Sequence, residues 1–182
     1  MKLVQAIVGL LLLAYPAFVY LGVQYQFSNS VLAVILIAFG LRAILAKTNP
    51  AVAKIALPTA VIGLILGVSS AYFQQHDWLL YYPVAVNLCL LFWFAMSLRN
   101  GAPVITEIAR IKDPDLPIQA QLYTRRLTAG WTFFFAINGT IAAITTQQSL
   151  ATWALYNGAI SYCLIGALLG GEFCYRKLVL RA

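Results

Sequence analysis

The chain has 182 residues, 62% of them hydrophobic and 9% charged, with 12 Lys and Arg against 5 Asp and Glu. Ordinary soluble domains are roughly 25% charged, so this chain has too few polar side chains to clothe a soluble surface. With a mean hydropathy of +0.84, the solvent that fits it is a lipid bilayer. The net charge of +7 comes without a basic run interleaved with aromatics, which argues against a nucleic-acid partner; the charges fall between apolar stretches, where they act as topology signals.

Apolar stretches of bilayer-crossing length lie at about 3–23, 27–45, 51–73, 78–98, 127–146 and 150–173. Backbone polar groups in hydrocarbon must be satisfied within their own segment, so each stretch is expected to be a helix. The alternating polarity of a β-barrel strand is absent. The expected fold is an all-α integral membrane protein with six membrane-crossing helices in one domain over residues 1–182. Lys2 and the apolar run behind it resemble the start of a signal peptide. The run continues through Tyr15, Pro16, Phe18 and Tyr20 without a small-residue cleavage site, so a retained helix is expected. Asn49-Pro50 is a helix-start signal for the third stretch. Lys54, just inside that stretch, is expected to snorkel to the interface.

Alternate gaps between the stretches collect all 12 Lys and Arg residues, and the opposite gaps carry only "QQHD", "TTQQS" and similar polar text. The positive-inside rule then places both termini in the cytoplasm, together with the connection 99–126. That connection carries Arg99, Glu107, Arg110, Lys112, Asp113, Asp115, Arg125 and Arg126, close to half of the chain's Asp, Glu, Lys and Arg. Pro103 can open a short helix with Val104, Ile105, Ile108 and Ile111 on one face, suited to lying on the inner membrane surface. "DPDLP" at 113–117 interrupts it. Asp115 is expected to cap the next helix, with Pro117 in its first turn, and Ile118, Leu122 and Tyr123 lead through Arg125 and Arg126 into the fifth stretch. Two readings stand: a solvated connector, or a compact cap whose Arg99, Arg110, Lys112, Arg125 and Arg126 steer an acidic partner.

Asn87, Asn138 and Asn157 are the polar residues in apolar stretches that cost most to bury. They serve either as interhelical glue, at about 0.6 kcal/mol each and up to roughly 2, or as the lining of a polar cavity. Glu172, with Arg176 four residues on, reads as a helical ion pair rather than a proton-coupling site. Gly63-x3-Gly67 and Gly166-x3-Gly170 are equivalent small-residue faces for close helix approach. Cys89, Cys163 and Cys174 have no metal-ligand spacing and read as free thiols. His76 has only Asp77 beside it, and no nucleophile–base constellation appears, so neither metal, cofactor nor catalysis is expected. "LLAYPAFVYL" (12–21) repeats in "LLYYPVAVNL" (79–88), including Tyr-Pro. The two segments lie in stretches expected to cross in opposite directions, as in the inverted repeats of transporters.

The text from about 80 to 177, with "NGAPVITEIARIKDPDLPIQAQLYTRRLTAGWTFFFAINGT" at its centre and "WALYNGAISYCLIGALLGGEFCYRK" after it, resembles a family of small uncharacterised bacterial inner-membrane proteins. Its members are encoded in aryl-polyene and xanthomonadin-type biosynthesis clusters, beside acyl carrier proteins. More distantly it is similar to the intracellular septation protein family, through Leu116-Pro117, Trp131, Phe133-Phe134, Gly139 and the glycine–aromatic–basic ending. The resemblance implies an accessory, non-catalytic role at the bacterial inner membrane: docking or handling an aryl-polyene-type lipid, or its precursors bound to acyl carrier protein. A small lipid transporter or flippase and an envelope or septation scaffold are the alternatives.

Overall fold

A computed structural model of the chain describes residues 2–25, 28–46, 50–73 and 77–178. Phe27, Lys47, Asn49, His76 and Arg181, and the side chains of Lys2, Lys54 and Lys112, lie outside the described residues. In chain order the helices are α1 (Lys2–Leu13), α2 (Tyr15–Gln24), α3 (Ser28–Ala46), α4 (Pro50–Phe73), α5 (Asp77–Leu80), α6 (Tyr82–Arg99), α7 (Val104–Lys112), α8 (Ile118–Thr145) and α9 (Leu150–Leu155). A π-helical turn over Tyr156–Ile160 then leads into α10 (Ser161–Leu178). No strand occurs among the described residues.

Among the described residues, 4 helical stretches are long and apolar enough to cross a membrane: Ala56–Phe73, Asp77–Arg99, Ile118–Thr145 and Leu150–Leu178. That makes the chain a membrane protein. Leu32–Ala46 is apolar but shorter. The stretch expected as one helix over 3–23 is instead divided at Ala14 into α1 and α2, and the stretch 78–98 is divided at Tyr81 into α5 and α6. Both divisions have the same cause. Pro16 and Pro83 lack an N–H, and their rings crowd the preceding turn, so each starts a new helix from its first turn. Pro58, by contrast, is carried inside the continuous α4, as membrane helices tolerate.

α3 packs along α4, and α6 along α8. The first pair is drawn together by the small face of α4. A Cβ on Gly63 would land in the Phe39 ring, and one on Gly67 would sit 2.7 Å from Leu36 Cδ2. Tyr15, Val19, Leu32, Ile35, Phe39, Leu79 and Trp153 form one core. Phe94, Val104 and Phe135 form a second, flanked by Trp93, Trp131 and Phe134. α10 is largely exposed along its length, and a Cβ on Gly166 or Gly170 would meet nothing within 4 Å.

The connection 99–126 folds back on the bundle. α7 packs against α8 through the Thr106–Thr124 hydroxyl pair at 2.7 Å and through an Ile105 N–H to Thr128 Oγ1 bond at 3.3 Å. The apolar face expected over Val104 to Ile111 therefore splits: Val104 is buried in the second core, while Ile108 and Ile111 stay exposed. Asp115 does not cap α8. Pro117 itself is the N-cap residue, with no side-chain cap bond. It restricts Leu116 before it to extended backbone, which leaves Asp115 outside the capping position.

Candidate functional site

The two Tyr-Pro breaks face each other. Pro83 has no N–H to offer the Leu79 carbonyl four residues back, and Tyr15 Oη donates to that oxygen at 2.7 Å. The neighbouring Leu80 carbonyl accepts from Trp153 Nε1 at 3.0 Å. In an apolar surrounding an orphaned carbonyl costs several kcal/mol, so the freed backbone of α5 explains why Tyr15 and Trp153 are buried there. The rings of Tyr15 and Tyr82, each at the start of its own helix, pack 4.8 Å apart, and Phe39 lies 4.7 Å from Tyr82. The sequence echo at 12–21 and 79–88 thus corresponds to two like breaks in contact.

Beside this aromatic group the three asparagines are hydrogen-bonded in two separate sets, Asn87 with Asn138 and Asn157 with Thr145. Asn138 Nδ2 donates to Asn87 Oδ1 at 3.0 Å. Asn138 Oδ1 accepts from Tyr156 Oη at 2.9 Å and from Ser161 Oγ at 3.0 Å. Asn87 Nδ2 donates to the Pro83 carbonyl at 2.8 Å. Asn157 Nδ2 donates to Thr145 Oγ1 at 3.1 Å and to the Trp153 carbonyl at 2.9 Å. Two backbone features permit this. A Cβ on Gly139 would lie 2.9 Å from Asn87 Cβ, so glycine lets α6 and α8 approach closely enough for the Asn pair. In the π-helical turn the Ser161 N–H reaches back to the Tyr156 carbonyl. An i→i+5 closure stacks residues five apart on one face, and both Tyr156 and Ser161 can then reach the same Asn138 oxygen.

These elements border a cavity of about 410 Å³, open on one side, between the two broken helices, α3, α8 and α10. Asn87, Asn138, Asn157 and Ser161 supply amide and hydroxyl groups to its wall, Tyr82 and Tyr162 add rings, and Leu12, Val86, Leu90 and Ile165 make the apolar part. Arg42 lines it as well. The asparagines therefore do both things that their residue type allows: they hydrogen-bond between helices, and they face a cavity. No carboxylate, imidazole or thiol occurs in the described lining. Its groups can bind and orient a polar head and an apolar tail, and they offer no acid–base pair. A volume of several hundred Å³ with a mostly apolar wall and a few convergent polar groups is the usual form of a small-molecule site. No protein-family model, curated protein or solved structure matches this chain.

Glu172 lies apart from the cavity. It sits 3.8 Å from Arg176 as an i,i+4 pair and accepts from Tyr123 Oη at 3.4 Å. Tyr123 also stacks on Tyr175 at 6.1 Å. Together these contacts tie the end of α10 to the start of α8. Of the cap residues, Arg110 and Arg125 border a second cavity, of about 400 Å³, with Thr106, Ile118 and Leu122. Arg110 donates to Gln121 Oε1 and Arg125 to the Leu98 carbonyl, each at 3.0 Å. Arg99 and Arg126 are exposed outside that groove.

Reading the sequence alone passed over Arg42, Tyr15, Tyr82, Tyr156, Tyr162 and Ser161. Arg42 was legible only as a topology charge. The Tyr-Pro echo was the signal that could have led to Tyr15 and Tyr82, because a proline inside an apolar stretch can mark a break, and breaks in membrane helices sit where side chains or a cavity can satisfy the freed backbone.

Proposed function

We propose that this protein is a small lipid transporter of the bacterial inner membrane, with six membrane crossings and both termini in the cytoplasm, which takes an amphiphile into the cavity between its broken helices. The observation that carries the reading is the cavity itself: polar groups from α6, α8 and the π-helical turn converge on it, and two helices break beside it at the same Tyr-Pro dipeptide. Discontinuous helices around a central site are how secondary transporters place polar groups within a bilayer. The resemblance to proteins of aryl-polyene clusters supplies the cargo class, an aryl-polyene-type lipid, and the distribution of Lys and Arg supplies the orientation.

Ile165→Trp tests this. It fills the cavity from α10, the helix with the most room to adjust, and leaves every asparagine bond in place. In cells that make the pigment lipid, the amount reaching the outer membrane per unit of membrane-inserted protein is expected to drop severalfold. An unchanged ratio would remove transport through the cavity.

The cap supports a second, compatible role. Arg110 and Arg125 beside exposed Ile118 and Leu122 form a basic and apolar groove suited to an acidic acyl carrier protein. Carrier protein should be retained by inside-out vesicles and not by right-side-out ones. Retention should weaken with salt, on the scale of a Debye length of about 8 Å at physiological ionic strength, and should be lost when Arg110, Arg125 and Arg126 are all replaced by Gln. Retention that ignores both salt and the triple replacement would leave the cap a connector.

A further inference from the structure

Arg42 stands one turn beyond Phe39 on α3, in the apolar helical stretch Leu32–Ala46. It is half-buried, lines the 410 Å³ cavity, and its Nε is buried with no hydrogen-bond partner among the described residues. A guanidinium stays charged at any pH the protein meets, so it cannot escape the cost of desolvation by losing a proton, as a lysine can. An intramembrane cation normally has a named counter-charge. Here the described lining contains no Asp or Glu, and Glu172 is engaged with Arg176 and Tyr123.

We infer that the counter-charge arrives with the ligand: the cavity takes an amphiphile bearing a single anionic group, a carboxylate or a phosphate, which pairs with Arg42. The planar fork of the guanidinium matches either group in a bidentate pair. Asn87 and Asn138 in the same wall each give one amide N–H to the protein, to the Pro83 carbonyl and to Asn87 Oδ1, which leaves a second N–H that can donate to the anion, and Leu12, Leu90 and Ile165 line the apolar part. An uncharged amphiphile could at most accept a hydrogen bond from Nε and would leave the guanidinium charge without a counter-charge, so the site discriminates for charge as well as for shape. This inference rests on the proposed lipid-binding cavity and specifies the chemistry of what enters it.

The test uses the full-length protein in a neutral detergent, titrated with oleate, oleyl phosphate, oleyl alcohol and inorganic phosphate, with the bound fraction read by native mass spectrometry. Oleate or oleyl phosphate is expected to bind wild type about ten- to a hundredfold more tightly than oleyl alcohol, the range a charge-assisted hydrogen-bonded pair contributes. Arg42→Gln should erase that difference, Arg42→Lys should keep part of it, and Ile165→Trp should weaken every oleyl probe. The wild-type comparison needs no variant, so a misfolded Arg42→Gln does not spare the inference. Equal affinities for oleate, oleyl phosphate and oleyl alcohol, all lowered by Ile165→Trp, would overturn the anion preference and leave the lipid cavity standing. Failure of every oleyl probe to bind, or binding indifferent to Ile165→Trp, would overturn both. Inorganic phosphate binding as tightly as oleyl phosphate would overturn the amphiphile and make the site one for a free anion.

Discussion

Gly63→Ala is expected to destabilise the folded protein by about 1–2 kcal/mol net, whereas Gly166→Ala leaves it as stable as wild type or up to about 1 kcal/mol more stable. Both changes add one methyl group to a helical glycine in the same spacing motif. At Gly63 the new Cβ falls in the Phe39 ring. That ring is fully buried and held between Tyr15 and Tyr82, so it has nowhere to turn and α3 must move away from α4. The better helix propensity of alanine, about 1 kcal/mol over glycine, offsets only part of that overpacking. At Gly166 a methyl group meets open space. Unfolding midpoints of the two variants and wild type in one detergent decide the matter. A Gly63→Ala protein as stable as wild type would mean that α3 and α4 do not meet as described.

Asn138→Leu is expected to cost about 2–4 kcal/mol, more than Asn→Leu at a residue bridging a single pair of membrane helices. The amide holds bonds to Asn87, Tyr156 and Ser161 at once. At about 0.6 kcal/mol per intramembrane bond, with maxima near 1.7, the lost bonds account for roughly half of the loss. The rest comes from leaving Asn87 Oδ1 and two hydroxyls without their partner in an apolar setting. Adding Asn87→Leu removes one of those orphans, so the double variant should be less destabilised than the sum of the singles. A double-mutant cycle on unfolding free energy measures this coupling. Strict additivity, or a neutral Asn138→Leu, would show that the network contributes nothing to stability.

The membrane class and the helical fold were legible from composition and from the length of the apolar runs, because both follow from the bilayer: too few polar residues exist for a water-facing surface, and only helices satisfy the backbone over such runs. The interruptions at 113–117 and the Glu172–Arg176 pair were legible too, since proline chemistry and i,i+4 spacing are local. So was interhelical hydrogen bonding by Asn87 and Asn138, as one of the two roles open to buried amides.

What the tertiary structure alone decided is which of several locally equivalent residues meet. Gly63-x3-Gly67 and Gly166-x3-Gly170 have the same spacing, yet among the described residues only the first is in close contact with another helix. Nothing within a helix records what lies across from it. The first apolar stretch is long enough for one helix, but a proline in it can either kink or divide. Pro83 divides where Tyr15 and Trp153 satisfy α5 carbonyls, and Pro16 divides as well, while Pro58 does not. Asp115 is a sound capping residue by type, and lost the position to Pro117 through backbone geometry. Arg42 reads in sequence as one more cation on the positive side. Only the packing of α3 against both broken helices turns it toward a cavity, because a side chain's charge is a property of the residue and its counter-charge is a property of the fold.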